Sequence, residues 1–422
     1  MGGGLLQLVA YGAQDVYLTG NPQITFFKVV YRRHTNFSME SIQQTFNGNA
    51  VLGNRVTAQI SRNGDLLHKL YLKIDMVTDD TDTTTPAGGG TATKNPTYLQ
   101  PFFGYRMIKN VDLEIGGQRI DKHYGEWMYI WNELTMPEGK KDGFYKMVGG
   151  QKYNVPIKYT DNKTITLYIP LEFWFCRNVG LALPLIALQY HEVKINLEFN
   201  DFNSIKATNT ADKFATDYLS PAGSAVVSTT AQSKLKSFSA ELWADYIFLD
   251  TDERKRFAQM SHEYLIEQLQ HTGTESISST NTLKGYRLNF NHPCKELVWA
   301  IRPDTANLNW TAFDDSGANP VVSAKLQLNG NDRFAERDGA YFNTVQPYQH
   351  HTNIPTTNPG INVYSFALKP EEHQPSGTLN MSRIDTSSIQ ISSSTAGTLF
   401  MYATNYNVLR ILSGMGGLAY SN

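Results

Sequence analysis

The chain has 422 residues, of which 41% are hydrophobic and 18% are charged, and its formal net charge is −2. The length suits two domains of about 200 residues, and the composition excludes a disordered chain. The near-neutral charge, with no Lys/Arg run longer than Arg254-Lys255-Arg256, argues against binding to nucleic acid or an anionic membrane through bulk charge.

Residues 1–27 contain a single charged residue, Asp15. The segment is rich in glycine and apolar residues, but it is too short and too interrupted to cross a bilayer. It also lacks the basic region and long apolar core of a signal peptide. Such a segment needs a surface to lie on, which is either its own domain or a neighbouring subunit.

A series of strands separated by turns begins at Ser38. Asn63-Gly64 lies between two alternating runs, RVTAQIS and DLLHKLYLKIDMV, and predicts a hairpin, because this dipeptide favours a type I′ turn. Stretches of low complexity are expected to form exposed loops between strands. They cover residues 79–101, 203–236, 303–320 and 350–360.

Helix signals are few and short. EWMYIWNEL at 126–134 and DTDERKRFAQ at 250–259 are the best candidates. The second opens with acidic residues, which stabilise a helix N-terminus, and lysine and arginine follow at once. We place the domain junction at this helix and read its carboxylates as a helix start rather than as a catalytic cluster.

The two halves of the chain carry the same pattern of elements. A strand runs into the turn Gly116-Gly117 in the first half and into Asn329-Gly330 in the second, and an arginine, Arg119 or Arg333, follows each turn. Two more strands and a long closing strand come next in both halves. A period of roughly two hundred residues is too long for a solenoid and indicates a duplicated domain.

The start of the second copy is predicted from its position. SHEYLIEQLQ at 261–270 has a helical composition, but it stands where SIQQTFNG stands in the first copy, so we predict a strand. Many short strands, close turn signals and sparse helix indicate antiparallel sandwiches. Periodicity does not separate a jelly roll from an immunoglobulin-like sandwich, but the long loops favour a jelly roll in each half.

The residue types that bind metals do not form a convincing site. His350, His351 and His373, and His292 with Cys294, lack the spacing of a jelly-roll metal site, and we expect polar loop histidines at a subunit contact. Gly116-Gly117 lacks the lysine and helix of a phosphate loop, and no serine lies in a nucleophile elbow. The sequence therefore predicts no catalytic residue, cofactor or metal.

The two cysteines, Cys176 and Cys294, lie far apart. A secreted protein of this size usually carries more, in pairs, so two reduced thiols in a cytosolic product are expected, with a disulfide as the less favoured alternative. Among four Asn-x-Ser/Thr triplets, Asn162 and Asn309 are the better candidates for glycosylation because they lie in or beside loops. Arg119 and Arg333, each after a tight turn, are candidates for contact with a carboxylate of another subunit, and an intramolecular salt bridge to a neighbouring strand is an equal alternative.

Several long blocks of the sequence resemble the major capsid proteins of the nucleocytoplasmic large DNA viruses, which include phycodnaviruses, iridoviruses and relatives of mimivirus. The similarity runs from about Gly2 to Asn422 and is weakest in the four loops. The blocks are QLVAYGAQDVYLTGNPQITFFKVVYRRHTNF, EIGGQRIDKHYGEW, FWFCRNVGLALPLIALQYHEVKI, DYIFLDTDERKRFAQMSHEYLIEQLQ, NHPCKELVW, VYSFALKPEEHQPSGTLNMSRID and NYNVLRILSGMGGLAYSN.

The resemblance implies an all-β protein with two tandem eight-stranded jelly-roll sandwiches, short helices and long loops. It implies an inner-face segment at 1–27, a first jelly roll at 28–252 and a second at 253–422. Three copies would form a pseudo-hexameric capsomer that tiles an icosahedral shell. The segment 1–27 would face minor capsid proteins and the inner membrane, with no direct contact to nucleic acid. The expected location is the virion capsid, assembled in the host cytoplasm.

Two other function classes remain open from the residues alone. A carbohydrate-binding module or enzyme on tandem jelly rolls needs a surface platform of Trp and Tyr or a pair of carboxylates, and neither is recognisable. Most of the tryptophans lie in patterns typical of a core, namely Trp127, Trp131, Trp174, Trp243 and Trp299. A capsid protein that packages nucleic acid is disfavoured by the missing basic arm.

Overall fold

The computed structural model describes residues 3–79, 83–84, 93–94, 97–150, 157–159, 163–205, 234–304, 318–355 and 360–420. By its internal contacts the chain divides into two compact units, Met1–Phe37 and Ser38–Asn422. Among the described residues, no helix has the length and hydropathy needed to cross a bilayer.

The N-terminal unit contains two short helices, α1 (Gly3–Val9) and α2 (Val16–Thr19). Between them the carboxylate of Asp15 accepts a hydrogen bond of 2.8 Å from the backbone N–H of Gly12. Neither helix has a buried residue. The large apolar side chains of the unit are exposed, so its surface is mainly apolar.

The second unit contains the sheets, and its strands fall into two sets along the chain. The strands of the first half are β1 (Phe37–Gln44), β2 (Phe46–Asn47), β3 (Arg55–Gln59), β4 (Leu66–Asp79), β5 (Thr83–Thr84), β6 (Thr93–Lys94), β7 (Thr97–Leu99), β8 (Ile108–Ile115), β9 (Gln118–Tyr124), β10 (Ile157–Tyr159), β11 (Thr164–Pro170), β12 (Leu183–Pro184), β13 (Val193–Phe199) and β14 (Lys234–Leu249). Those of the second half are β15 (His262–Ile277), β16 (Thr280–Arg287), β17 (Pro293–Pro303), β18 (Val321–Leu328), β19 (Asn331–Asp332), β20 (Arg337–Asp338), β21 (Asn362–Ser365), β22 (Leu379–Asn380), β23 (Ser387–Ser393), β24 (Gly397–Leu412) and β25 (Met415–Leu418).

Short helices connect the strands. They are α3 (Phe103–Arg106), α4 (Gly125–Thr135), α5 (Glu138–Val148), α6 (Trp174–Arg177), α7 (Thr251–Gln259) and α8 (Gln346–His350), with 3-10 turns at Val179–Leu181, Phe202–Ser204 and Met381–Arg383 and a π-helical turn at Tyr341–Val345. The two predicted helices are α4 and α7. The carboxylate of Asp250 caps α7 by accepting from the N–H of Thr251. The predicted strand at 261–270 is confirmed as part of β15.

The duplication predicted from the sequence is present in the order of the strands. One sheet of the first half runs β1-β14-β4-β11, and its counterpart in the second half runs β15-β24-β17-β21. The other two sheets run β3-β13-β8-β9 and β16-β23-β18-β19. Each half is therefore a sandwich of two four-stranded sheets with the same topology, extended by short extra strands. The predicted double jelly roll is confirmed.

The two predicted Gly/Asn turns are equivalent hairpins. Gly116 and Gly117 have φ of 58° and 84° and connect β8 to β9, while Asn329 and Gly330 have φ of 48° and 79° and connect β18 to β19. Positive φ at both central residues is the requirement of a type I′ turn. The residues at both turns therefore meet the backbone requirement of these two hairpins.

The hairpin predicted at Asn63-Gly64 is wrong. Neither residue has positive φ among the described positions, and β3 and β4, on either side of the dipeptide, belong to different sheets. A Cβ on Gly64 would lie 2.6 Å from the Cβ of Tyr246, whose hydroxyl donates to the carbonyl of Ser61. The dipeptide thus carries the chain from one sheet of the sandwich to the other, because both strands have an apolar face that the shared core covers.

The loop predictions are only partly covered by the described residues. Where the structure describes the stretch 79–101, it departs from the prediction, because β7 pairs with β10 and Leu99 is fully buried. Ile205 is likewise buried, and so is His351. Of the four stretches, the structure describes residues 79, 83–84, 93–94, 97–101, 203–205, 234–236, 303–304, 318–320, 350–355 and 360, and the rest lie outside the described residues.

Candidate assembly surfaces

The sheet β15-β24-β17-β21 is buried on both faces. Along β24, Leu399, Met401 and Ala403 belong to the apolar core of the second half. Phe400 and Tyr402 alternate with them and belong to the apolar cluster of the first half. Successive side chains of a strand point to opposite faces, so the outer face of this sheet packs on the first half. We call this contact the seam.

Helix α4 contributes the aromatic part of the seam. The rings of Trp127 and Tyr402 lie 5.3 Å apart. The hydroxyl of Tyr402 donates to the carboxylate of Glu126 at 3.4 Å, and the guanidinium of Arg302 pairs with the same carboxylate at 3.3 Å. The helix is buried nearly all round, which fits its position between two sandwiches.

Strand β9 contributes the polar part of the seam. The amide of Gln268 donates to the backbone carbonyl of Ile120, and the backbone N–H of Leu269 donates to the carboxylate of Asp121 at 3.1 Å. His123 lies 2.9 Å from the same carboxylate. These bonds join the edge strand β9 to β15 and satisfy polar groups that the seam removes from water.

A buried ionic cluster lies beside this contact and centres on Glu267 of β15. Its carboxylate pairs with Lys295 at 2.8 Å and with Arg177 at 3.2 Å. The guanidinium of Arg177 also lies over the ring of Trp131, 4.0 Å from its centre. Burial alone raises the pKa of Glu267, but His373, 3.7 Å from the carboxylate, and the two cations hold the pKa at about 2. The cluster ties the first half, through Arg177, to two strands of the second.

His351 is enclosed by two carboxylates, Glu296 of β17 at 3.0 Å and Glu371 at 2.9 Å. Burial lowers the pKa of His351, but the two carboxylates outweigh burial and raise the pKa to about 9. The imidazole is therefore a buried cation at neutral pH. It ties the segment around Glu371 to the sheet.

We expect this imidazolium to make the protein less stable as the pH becomes alkaline. Its folded pKa of about 9 exceeds the ordinary value of 6.5, so its contribution is fully present below 6.5 and is lost as pH rises through about 9. Thermal melting followed from pH 6 to 10 should show this loss. A His351→Gln variant should be less stable at neutral pH and should lose that part of the slope. An unchanged slope in the variant would assign the alkaline loss to other groups.

The structure gives the other candidate metal ligands separate surroundings. His350 bonds the carbonyl of Leu368 at 3.0 Å, and His373 lies 3.7 Å from Glu267. Within the described ranges, no group of three or more His, Cys, Asp or Glu side chains is placed to hold a metal ion. The expectation of polar loop histidines is wrong for His351, because burial between carboxylates is a long-range feature that spacing does not reveal.

Both cysteines are buried free thiols. Burial raises the pKa of Cys176, and it raises the pKa of Cys294 to about 12. The thiolate is the reactive form, so neither side chain is suited to redox or nucleophilic chemistry. The prediction of two unpaired thiols is confirmed.

The two candidate arginines occupy equivalent hairpins and are exposed. Arg119 lies opposite Glu114 in the register of β8 and β9 and lines a cleft of about 320 Å³ together with Lys122 and Gln270. The backbone N–H of Arg333 donates to the carbonyl of Leu326 at 2.8 Å. Their role in a subunit contact stays a prediction. The candidate glycosylation residues Asn162 and Asn309 lie outside the described residues.

The prediction that Trp243 belongs to a core is wrong. Trp127, Trp131, Trp174 and Trp299 are buried as predicted, whereas Trp243 is half-buried on the outer face of the sheet β1-β14-β4-β11. The period of two in β14 could have shown this, because its alternate residues, Leu242 and Ala244 among them, form the core.

The outer face around Trp243 carries further aromatic side chains. Tyr71 of β4 is registered opposite Trp243, with parallel rings at an angle of 3°, and Tyr168 of β11 lies 6.2 Å from Tyr71. Lys73 borders them and pairs with Asp75 at 2.9 Å. We call Tyr71, Tyr168 and Trp243 the aromatic stripe.

Comparison with known proteins places these features in a family. Residues 25–250 match the family model for the major capsid protein N-terminus, and residues 253–417 match that for the large eukaryotic DNA virus major capsid protein. The major capsid protein of Pyramimonas orientalis virus is 53% identical over the full length of both chains. That of Paramecium bursaria Chlorella virus 1 is 43% identical, also over the full length of both.

Solved structures agree. A chain from the quasi-atomic model of the PBCV-1 virus capsid matches with a TM-score of 0.75 and 38% identity, covering 94% of this chain and 100% of that one. The Faustovirus major capsid protein shares the fold with a TM-score of 0.73 at 14% identity, over 95% of this chain and 94% of that one. The family consists of structural proteins that assemble with copies of themselves into the virion capsid, not of enzymes. The chain belongs to the major capsid proteins of the large eukaryotic DNA viruses.

Proposed function

We propose that three copies of this chain form a pseudo-hexameric capsomer that tiles the icosahedral shell of a large DNA virus. The observation that carries the proposal is the identical strand order of the two halves. Three chains then supply six equivalent sandwiches, and a closed ring of heterologous contacts needs only one kind of subunit. In this proposal residues 28–252 form the first jelly roll and residues 253–422 the second.

The segment 1–27 is assigned to the inner face of the shell. Its single charge and its exposed apolar side chains suit a surface that is itself apolar, such as minor capsid proteins or the inner membrane face. The two buried free thiols fit assembly in the reducing host cytoplasm. Arg119 and Arg333, at equivalent hairpins, are assigned to contacts at the surface of the capsomer.

The native mass in solution tests the trimer. Light scattering on a sizing column at near-physiological salt should give three times 47.4 kDa. The mass should be independent of loading concentration, because a capsomer is a preformed tile. A mass of 47.4 kDa at all loadings would contradict the proposal and favour a binding role for the tandem jelly roll.

A further inference from the structure

The seam covers the outer face of one sheet, and the corresponding sheet of the first half has an outer face that its own chain does not cover in the same way. Within the chain, the outer face of β15-β24-β17-β21 is covered by β9 and α4 of the first half. The equivalent sheet, β1-β14-β4-β11, has the same strand order. Its outer face carries Tyr71 and Trp243 as a registered pair on β4 and β14, the strands that correspond by sheet order to β17 and β24, where Val298 and Tyr402 are a registered pair.

The aromatic stripe lies flat on its sheet. The hydroxyl of Tyr71 on β4 lies 2.9 Å from that of Ser41 on β1, two strands away across β14. Neighbouring strands are about 4.8 Å apart, so the ring must extend along the sheet rather than stand upright on it. The parallel ring of Trp243 shares this orientation. Together they offer a broad aromatic surface to an approaching partner.

The second half contains the counterpart of β9 and α4. Strands β19 and β20 both pair with β18, as β9 pairs with β8, and the π-helical turn and α8 follow them as α4 follows β9. This counterpart leaves large apolar side chains exposed, namely Val345, Tyr348 and the adjacent Leu368. Leu368 is adjacent because its carbonyl bonds His350 of α8.

We propose that the segment Tyr341–His350 of one copy packs on the aromatic stripe of the next, so that the contact between chains repeats the seam within a chain. The proposal rests on the proposed trimer and names its interface. Each chain then offers the stripe at one end and α8 at the other, which is the head-to-tail arrangement that closes into a ring.

The composition of the stripe favours a protein partner. Tyrosine and tryptophan are enriched at the centres of protein interfaces, where a polar rim surrounds them. Here Lys73, Asp75 and Glu241 form such a rim, with Lys73 paired to both carboxylates. The exposed apolar side chains on α8 complement an aromatic surface better than a polar sugar does. Binding of a glycan to the stripe is therefore an outcome of the test that would overturn the proposal.

Charged substitutions at exposed positions test the contact without disturbing the fold. Tyr348→Arg on α8 and Tyr168→Arg on the stripe should each convert a mass of three times 47.4 kDa into 47.4 kDa, because each would bury an unpaired charge. Tyr190→Arg is the matched control, since Tyr190 is 75% exposed and Tyr348 is 76% exposed. It should leave the mass unchanged. Circular dichroism should show all three variants folded.

A cross-link gives an independent, positive result. A chain with Tyr168→Cys and Tyr348→Cys, treated with a flexible bismaleimide, should form covalent dimers and trimers. The two native thiols are buried and should not react, so these products would join the two introduced cysteines. Tyr168→Cys with Tyr190→Cys should remain monomeric on a denaturing gel. If the unmodified chain is trimeric but the arginine variants stay trimeric and the cross-link fails, this interface is wrong and the trimer stands. A monomeric unmodified chain, or a stripe that binds glycans in the intact trimer, would overturn the contact as well.

Discussion

Replacing Glu267 with glutamine is expected to lower the free energy of unfolding by about 3–5 kcal/mol. The carboxylate holds two cations, and Lys295 is 1% exposed. Removing one partner of a buried ion pair leaves the other charge in a region of low polarity, where water cannot replace the lost contact. The loss should be measured by chemical denaturation near neutral pH.

The matched control is Glu263→Gln on the same strand. Glu263 pairs with Arg410 at 2.8 Å, but both side chains are more than half exposed. An exposed pair contributes about 0–1 kcal/mol, so this variant should unfold close to the parent. A loss of stability in Glu267→Gln as small as that expected for Glu263→Gln would mean that the cluster around Glu267 is hydrated and does not stabilise the seam.

Replacing Trp127 with alanine is expected to cost about 3–5 kcal/mol, through a cavity at the centre of the seam. The indole is fully buried and contacts both Trp131 and Tyr402. The cavity lies between the two jelly rolls rather than inside either one. The two halves should therefore unfold at different denaturant concentrations. Protease should cut near α7, which connects the halves, at a lower denaturant concentration than in the parent.

Tyr190→Ala controls for the loss of an aromatic side chain as such. Tyr190 is 75% exposed, and substitutions at such positions usually change stability by less than about 0.5 kcal/mol. A Trp127→Ala variant that melts with the parent, in one cooperative step, would show that α4 is not needed to join the jelly rolls.

Some of the fold could be predicted because the relevant signals are local. The type I′ turns at Gly116-Gly117 and Asn329-Gly330 require only residues that adopt positive φ. Helices α4 and α7 were found from composition and capping residues. The Asn63-Gly64 turn failed, although it carries the same kind of signal, because the sheets that receive β3 and β4 are chosen by strands more than a hundred residues away.

The candidate surfaces were harder to predict than the fold. Arg119 and Arg333 were found as equivalents, but Glu267, Glu296 and Lys295 were missed. A charged residue inside a β-type run could have drawn attention to β17, where Lys295 and Glu296 are charged but are buried among mostly apolar residues. Nothing in the sequence indicated that His351 and Arg177 would meet them.

The duplicated all-β architecture follows from the sequence, because the alternation of apolar and polar residues and the turn residues are local signals that repeat after roughly two hundred residues. Which outer faces of the sheets are covered is visible only in the folded chain. Period two shows that Trp243 and Tyr402 point away from their own cores. It does not show that α4 covers Tyr402 within the chain while Trp243 stays half-exposed. That difference depends on how two sandwiches pack, which is a property of whole surfaces rather than of any one segment.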